Sequence, residues 1–134
     1  MYKNIEKQAV LQLKDLVEYQ TGQVVSKTLV QNDKVSMTIF SFDKGEEIST
    51  HAAGGDAMVT VLEGTGKFTV GGEVFLLHAG ETLIMPKDIP HAVYGEEQFK
   101  MQLIVSSMAI PYKDCATDAS SNFSSDETKS GVNT

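Results

Sequence analysis

The sequence contains no arginine. Its 11 basic residues are all lysine, and 18 acidic ones outnumber them, for a net charge of −7. Phosphate recognition draws on clustered Arg and Lys, so nucleic acid is not an expected partner. The same balance argues against docking on an anionic membrane surface. Cysteine is almost as scarce. Cys115 stands alone, which rules out an intramolecular disulfide and a zinc site built on clustered cysteines. No apolar run approaches the ~18 residues that mark a membrane-spanning helix. The opening MYKNIEKQAV is polar and lacks the layers of a secretory signal, so a cytoplasmic location is expected. At 134 residues the chain suits one domain with a single buried core.

Three regions differ in character. In residues 1–22, Leu13, Leu16 and Val17 fit one helical face, while Leu11 and Leu13 fit strand alternation. This extension is therefore a short helical turn or an edge strand. Residues 23–110 are dense in β signals. VVSKTLV (24–30) and VSMTIFSF (35–42) are rich in β-branched and aromatic residues, with Asn32-Asp33 as the turn between them. AMVTVLE (57–63) is broken by Gly64-Thr65-Gly66 and resumes as KFTV (67–70). Gly71-Gly72 then makes a two-residue hairpin turn before EVFLL (73–77), because such turns need positive φ. ETLIM (81–85) is closed by Pro86, and FKMQLIVS (99–106) is the last strand. Many short strands with frequent turns predict an all-β sandwich or barrel. Residues 111–134 are mostly Ser, Thr, Asp and Asn, with Phe123 as a lone large apolar residue in the final stretch. Too little can be buried there to offset ordering, which predicts a disordered or loosely docked tail.

The chemistry rests on histidine. His78 lies in a turn and reads as a surface residue. His51 ends the segment GEEISTH (45–51), and His91 follows Pro86 and Pro90 at the start of a further strand. Placed at the mouths of separate strands, the two either converge inside a barrel or pack independently. Imidazole is the commonest ligand for Zn, Fe, Ni and Cu.

The stretch from Gly45 to Gly95 resembles the two-part signature of the cupin superfamily. In the first part, Gly45 is followed after five residues by His51-Ala52-Ala53, then Ala57, then after six residues Gly64, within the phrase VLEGTG (61–66). In the second, Gly80 is followed after five residues by Pro86-Lys87-Asp88, after two more by His91, and after three by Gly95. The resemblance covers roughly residues 35–106 and implies a cupin-type double-stranded β-helix barrel. It also implies a ligand set of three histidines and one glutamate. His51 and His91 occupy two of those places, but Ala53 and Ala57 stand at the others. Methyl groups cannot coordinate, and catalytic metal sites generally use three protein ligands. Strand alternation turns the neighbouring Asp56 away from the face of Ala57 unless the GGD turn (54–56) bends the backbone.

Small side chains in place of ligands predict a roomier, more apolar cavity. Its expected lining is His51, Val59, Val61, Met85, His91, Phe99, Met101 and Leu103, with the two histidines as polar anchors. Three functions are compatible with this reading. The first is a binding module for a small organic molecule. The second is a metal-dependent isomerase, lyase or dioxygenase in which His51 and His91, with an atypical third ligand such as Met101, hold Zn, Ni, Mn, Fe or Cu. The third is a non-catalytic structural barrel. The missing ligands favour the first. VVSKTLV (24–30) is expected at an edge that pairs with a second copy, giving a homodimer, with Met58, Thr60 and Leu62 facing away from the cavity.

Overall fold

A computed structural model describes residues 1–107; the expected tail lies outside the described residues. A 3₁₀ turn, Leu13–Leu16, precedes nine strands. They are β1 (Val24–Gln31), β2 (Val35–Phe42), β3 (Glu47–His51), β4 (Gly55–Glu63), β5 (Thr65–Val70), β6 (Glu73–His78), β7 (Thr82–Met85), β8 (His91–Gly95) and β9 (Phe99–Ser107). One sheet has the order β1-β2-β9-β4-β7 and the other β3-β8-β5-β6. Every pairing is antiparallel. The all-β architecture agrees with the sequence reading. The run of Gly64 to Gly66 interrupts less than expected: Gly64, at φ +78°, is the one residue between β4 and β5.

The core follows from alternation. Ala57, Val59 and Val61 on β4, Phe99 and Met101 on β9, and Phe42, Phe68, Met85 and Val93 on their own strands are all buried in one cluster. Side chains two apart share a face, so each strand contributes every second residue. Three rings fill one end of this interior. Phe42 and Phe99 stack with centroids 4.6 Å apart, and Phe68 meets Phe99 edge-on at 6.0 Å. Gly66 makes room for them, since a Cβ there would lie 2.7 Å from the Phe99 ring.

The N-terminal extension resolves as a strap with one 3₁₀ turn rather than an edge strand. It covers the outer face of the five-stranded sheet, where Val17, Leu29, Val30 and Ile39 form a second buried cluster, with Leu13, Leu16 and Leu62 packed against it. Polar ties hold it down. The Ser41 hydroxyl, fully buried, donates to the Glu18 carbonyl at 2.9 Å. The Tyr19 hydroxyl donates to Glu63 Oε2 at 2.5 Å, and Lys100 Nζ donates to the Lys14 carbonyl at 2.7 Å. A bulge in β4 makes this network available. Val61 pairs with Met101 but Glu63 with Lys100, so one extra residue, Leu62, lies between. Were β4 regular through Leu62, alternation would turn Glu63 into the apolar core beside Val61.

No helix among the described residues is long and apolar enough to cross a membrane.

Candidate functional site

His51 and His91 are direct cross-strand partners on β3 and β8. Their rings meet edge-to-face, centroids 4.3 Å apart and planes inclined by 69°. The two histidines thus converge. A β-bulge is what brings His51 there. Ile48 pairs with Val93 and His51 with His91, a step of three residues on β3 against two on β8. Three residues of regular strand would put His51 on the opposite face from Ile48, which packs against the core. The bulge absorbs the extra residue and returns His51 to the inner face.

Local backbone sets the state of both rings. His51 Nδ1 lies 3.0 Å from the Ser49 carbonyl oxygen, and His91 Nδ1 lies 3.2 Å from that of Ile89. A carbonyl can only accept, so each Nδ1 carries the hydrogen and donates it. In the neutral ring Nε2 is then a bare acceptor. The described residues give neither Nε2 a hydrogen-bond partner. His91 is only 3 % exposed, whereas His51 is exposed at the surface. Burial holds the His91 imidazole below the ordinary histidine range, and the neighbouring His51 acts in the same direction; the bond to Ile89 opposes them.

The loops carrying the pair are tied together. Asp88 N donates to the Ala53 carbonyl at 3.0 Å, joining the β3–β4 connection to the β7–β8 connection. Asp88 has φ +64°, a left-handed conformation that Asp tolerates better than most side chains.

The expected lining divides into two groups. β3 ends and β8 begins at the end of the barrel where β7 ends and β4 begins, so Met85, paired with Ala57, shares the level of the histidines. Leu103 is packed against the core but only partly buried. Val59, Val61, Phe99 and Met101 are fully buried in the cluster. Phe99 sits at the far end, its ring against Gly66, whereas His91 pairs with Val70 four residues further along β5. Asp56 is exposed, opposite in facing to the buried Ala57, and its Oδ1 accepts from Lys87 N at 2.8 Å. His78 is a surface residue as expected, with Nδ1 3.2 Å from Glu81. A groove of about 570 Å³ runs along the seam between edge strands β6 and β7 and is lined by residues 74–77 and 81–83, none of them an expected site residue.

The sequence reading did not find the Ser49 and Ile89 carbonyls. Main-chain groups leave no compositional signal; only Pro90, which rigidifies the approach to His91, hints at the turn.

The family model for the cupin domain matches residues 38–107. The chain belongs to the cupin family. Among solved structures, this cupin is similar to a conserved protein of unknown function from Streptococcus pyogenes, at 43% identity and TM-score 0.78, over 79% of this chain and 93% of that one. It is also similar to a cupin superfamily protein from Desulfitobacterium hafniense, at 32% identity and TM-score 0.77, over 80% and 98% of the two chains. A cupin 2 conserved barrel domain protein from Leptotrichia buccalis shares 50% identity with TM-score 0.69, over 70% of this chain and 46% of that one. No curated protein matches the chain.

Cupin barrels carry an implied metal, and the residues present fit it poorly. Among the described residues no group of three His, Cys, Asp or Glu side chains is placed to hold a metal ion. Ala57 faces inward in a buried position where a glutamate is implied, and Asp56 beside it is turned away and engaged by Lys87. Two imidazoles fall short of the three protein ligands typical of catalytic metal sites.

Proposed function

We propose that this cupin binds a small organic molecule at the histidine end of its barrel. The observation that carries the reading is the His51–His91 pair: two inward imidazoles from neighbouring strands, each with Nδ1 committed to a backbone carbonyl and Nε2 uncommitted. Around them the inner face is apolar, with Ala57 and Met85 opposite and Leu103 and Val105 only partly buried. A few convergent polar groups on an apolar wall are the usual form of a small-molecule site.

Native mass spectrometry and elemental analysis of the untagged protein, beside a His51→Ala/His91→Ala variant, test this reading. An organic adduct on the parent that is lost from the variant supports it. Near-stoichiometric metal on the parent and none on the variant overturns it in favour of a metal-dependent enzyme using an atypical third ligand. A parent that takes up neither metal nor organic molecule, even when offered both, points to the structural barrel.

A further inference from the structure

We propose that the ligand is uncharged and donates two adjacent hydrogen bonds, one to Nε2 of His51 and one to Nε2 of His91, as a vicinal diol on an apolar body does. This deepens the binding-module reading above and rests on it.

The backbone dictates the polarity of the pair. Each Nδ1 hydrogen is used within its own strand end, by Ser49 and by Ile89, two residues back along the chain. Both contacts are local and independent of any ligand. They leave the distal ring nitrogen of each inward side chain as a lone pair without a donor. His91 is 3 % exposed, so its unpartnered Nε2 is a buried acceptor, which is costly unless something donates to it. The pairing of the two rings sets the number of donors required. One hydroxyl has one hydrogen and satisfies one Nε2; two imidazoles with centroids 4.3 Å apart call for two donors side by side.

Charge selects against anions. Holding a carboxylate or phosphate would require Nε2–H on at least one ring, hence an imidazolium against its neighbour's ring, and two imidazolium ions in contact if both rings donate. Among the described residues no carboxylate forms an ion pair with His51 or His91 to offset that repulsion. The chain offers no arginine for the task. The wall selects for an apolar body, since Ala57, Met85, Leu103 and Val105 present only carbon and one thioether.

The test has two parts. Long-range ¹H–¹⁵N NMR of histidine-labelled protein at about pH 7.5, above the unperturbed imidazole pKa of ~6.5, reads tautomers without any ligand. Protonated Nδ1 and bare Nε2 on both rings are expected. An Nε2–H tautomer or an imidazolium on either ring overturns the inference while leaving the binding module standing. Titration then uses catechol, its dimethyl ether veratrole, and benzoate. Catechol is expected to shift both Nε2 resonances and to bind ~10-fold or more tightly than veratrole, which keeps the ring but donates nothing. It is expected to lose that advantage in the His51→Ala/His91→Ala variant. Equal binding of veratrole, or preference for benzoate, overturns the inference alone. No response to any of the three, with the expected tautomers in place and no organic adduct by mass spectrometry, overturns the inference and the binding module together.

Discussion

His51 and His91 face one another across β3 and β8 because a bulge absorbs the one residue that β3 carries in excess. Between their pairing and that of Ile48 with Val93, β3 spends three residues and β8 two. Removing Thr50 matches two residues on β3 with two on β8, so regular alternation keeps His51 on the face of Ile48 and opposite His91 with no bulge needed. The expected outcome is a retained His51–His91 contact by NMR, with the fold retained by far-UV circular dichroism. Loss of the inter-ring contact in a folded deletion variant would refute the bulge assignment.

His91 makes stability depend on mild acid. Its folded pKa lies below the ordinary value, chiefly because it is buried. The unfolded chain therefore binds a proton that the folded chain resists. Above the unfolded pKa of ~6.5 both states are neutral and nothing is lost; as pH falls below it, stability declines until the lowered folded pKa is reached. Urea midpoints measured from neutral pH to mildly acidic pH should fall in the parent and fall less in His91→Gln. Parallel slopes in the two proteins would contradict this origin.

Tyr19 acts at the other extreme. Burial first, then the hydrogen bond to Glu63 and the charge of that carboxylate, raises its pKa well above the ordinary phenol value. Its contribution is fully present below an unfolded pKa of ~10 and is lost as pH rises beyond that. Tyr19→Phe removes the bond and should cost about 1 kcal/mol near neutral pH, a modest figure because the strap is partly open to solvent. The same variant should lose stability less steeply above about pH 10. An unchanged urea midpoint would mean that the hydroxyl does not fasten the strap.

Gly66 should tolerate no side chain. A methyl there meets Phe99 at 2.7 Å and Phe68 at 2.9 Å, inside the ring stack that closes one end of the barrel. Gly66→Ala is expected to cost about 1–3 kcal/mol by overpacking. Gly72→Ala gives a control of a different kind, since its added Cβ meets nothing within 4 Å and only its φ of +86° is unfavourable. If Gly66→Ala in combination with Phe99→Leu were no more stable than the sum of the two single changes predicts, the ring contact would not be the cause.

β1 lies at the edge of the five-stranded sheet, with β2 on one side. Read as the edge along which two copies pair, it predicts a mass of twice 14.6 kDa in sedimentation equilibrium. Proline at Ser26 should then shift the equilibrium toward monomer, because proline cannot donate to a ladder. A parent that is monomeric at every concentration would rule the pairing out.

How much of this was legible beforehand depends on the kind of signal. Runs such as VSMTIFSF and AMVTVLE announce themselves by β-branched residues and period-two alternation, and both are strands. β3 and β8 do not: EISTH and HAVYG are short, and β3 is interrupted by its bulge. Asp56 facing away from Ala57 followed from alternation alone. The N-terminal extension was ambiguous because four residues of 3₁₀ turn leave too short a pattern to tell from a strand.

By itself the sequence determined the all-β class, the spacing of the two histidines, and the loss of two implied ligands to Ala53 and Ala57. These are properties of residue type and interval, which no folding step alters. Only the tertiary structure decided that His51 and His91 meet, which nitrogen of each is committed, and that Phe99 belongs to the packed end rather than to the histidines. Those facts depend on a one-residue bulge, on two backbone carbonyls and on the register between strands distant in the chain. Such features are set by long-range pairing, and the local sequence carries no mark of them.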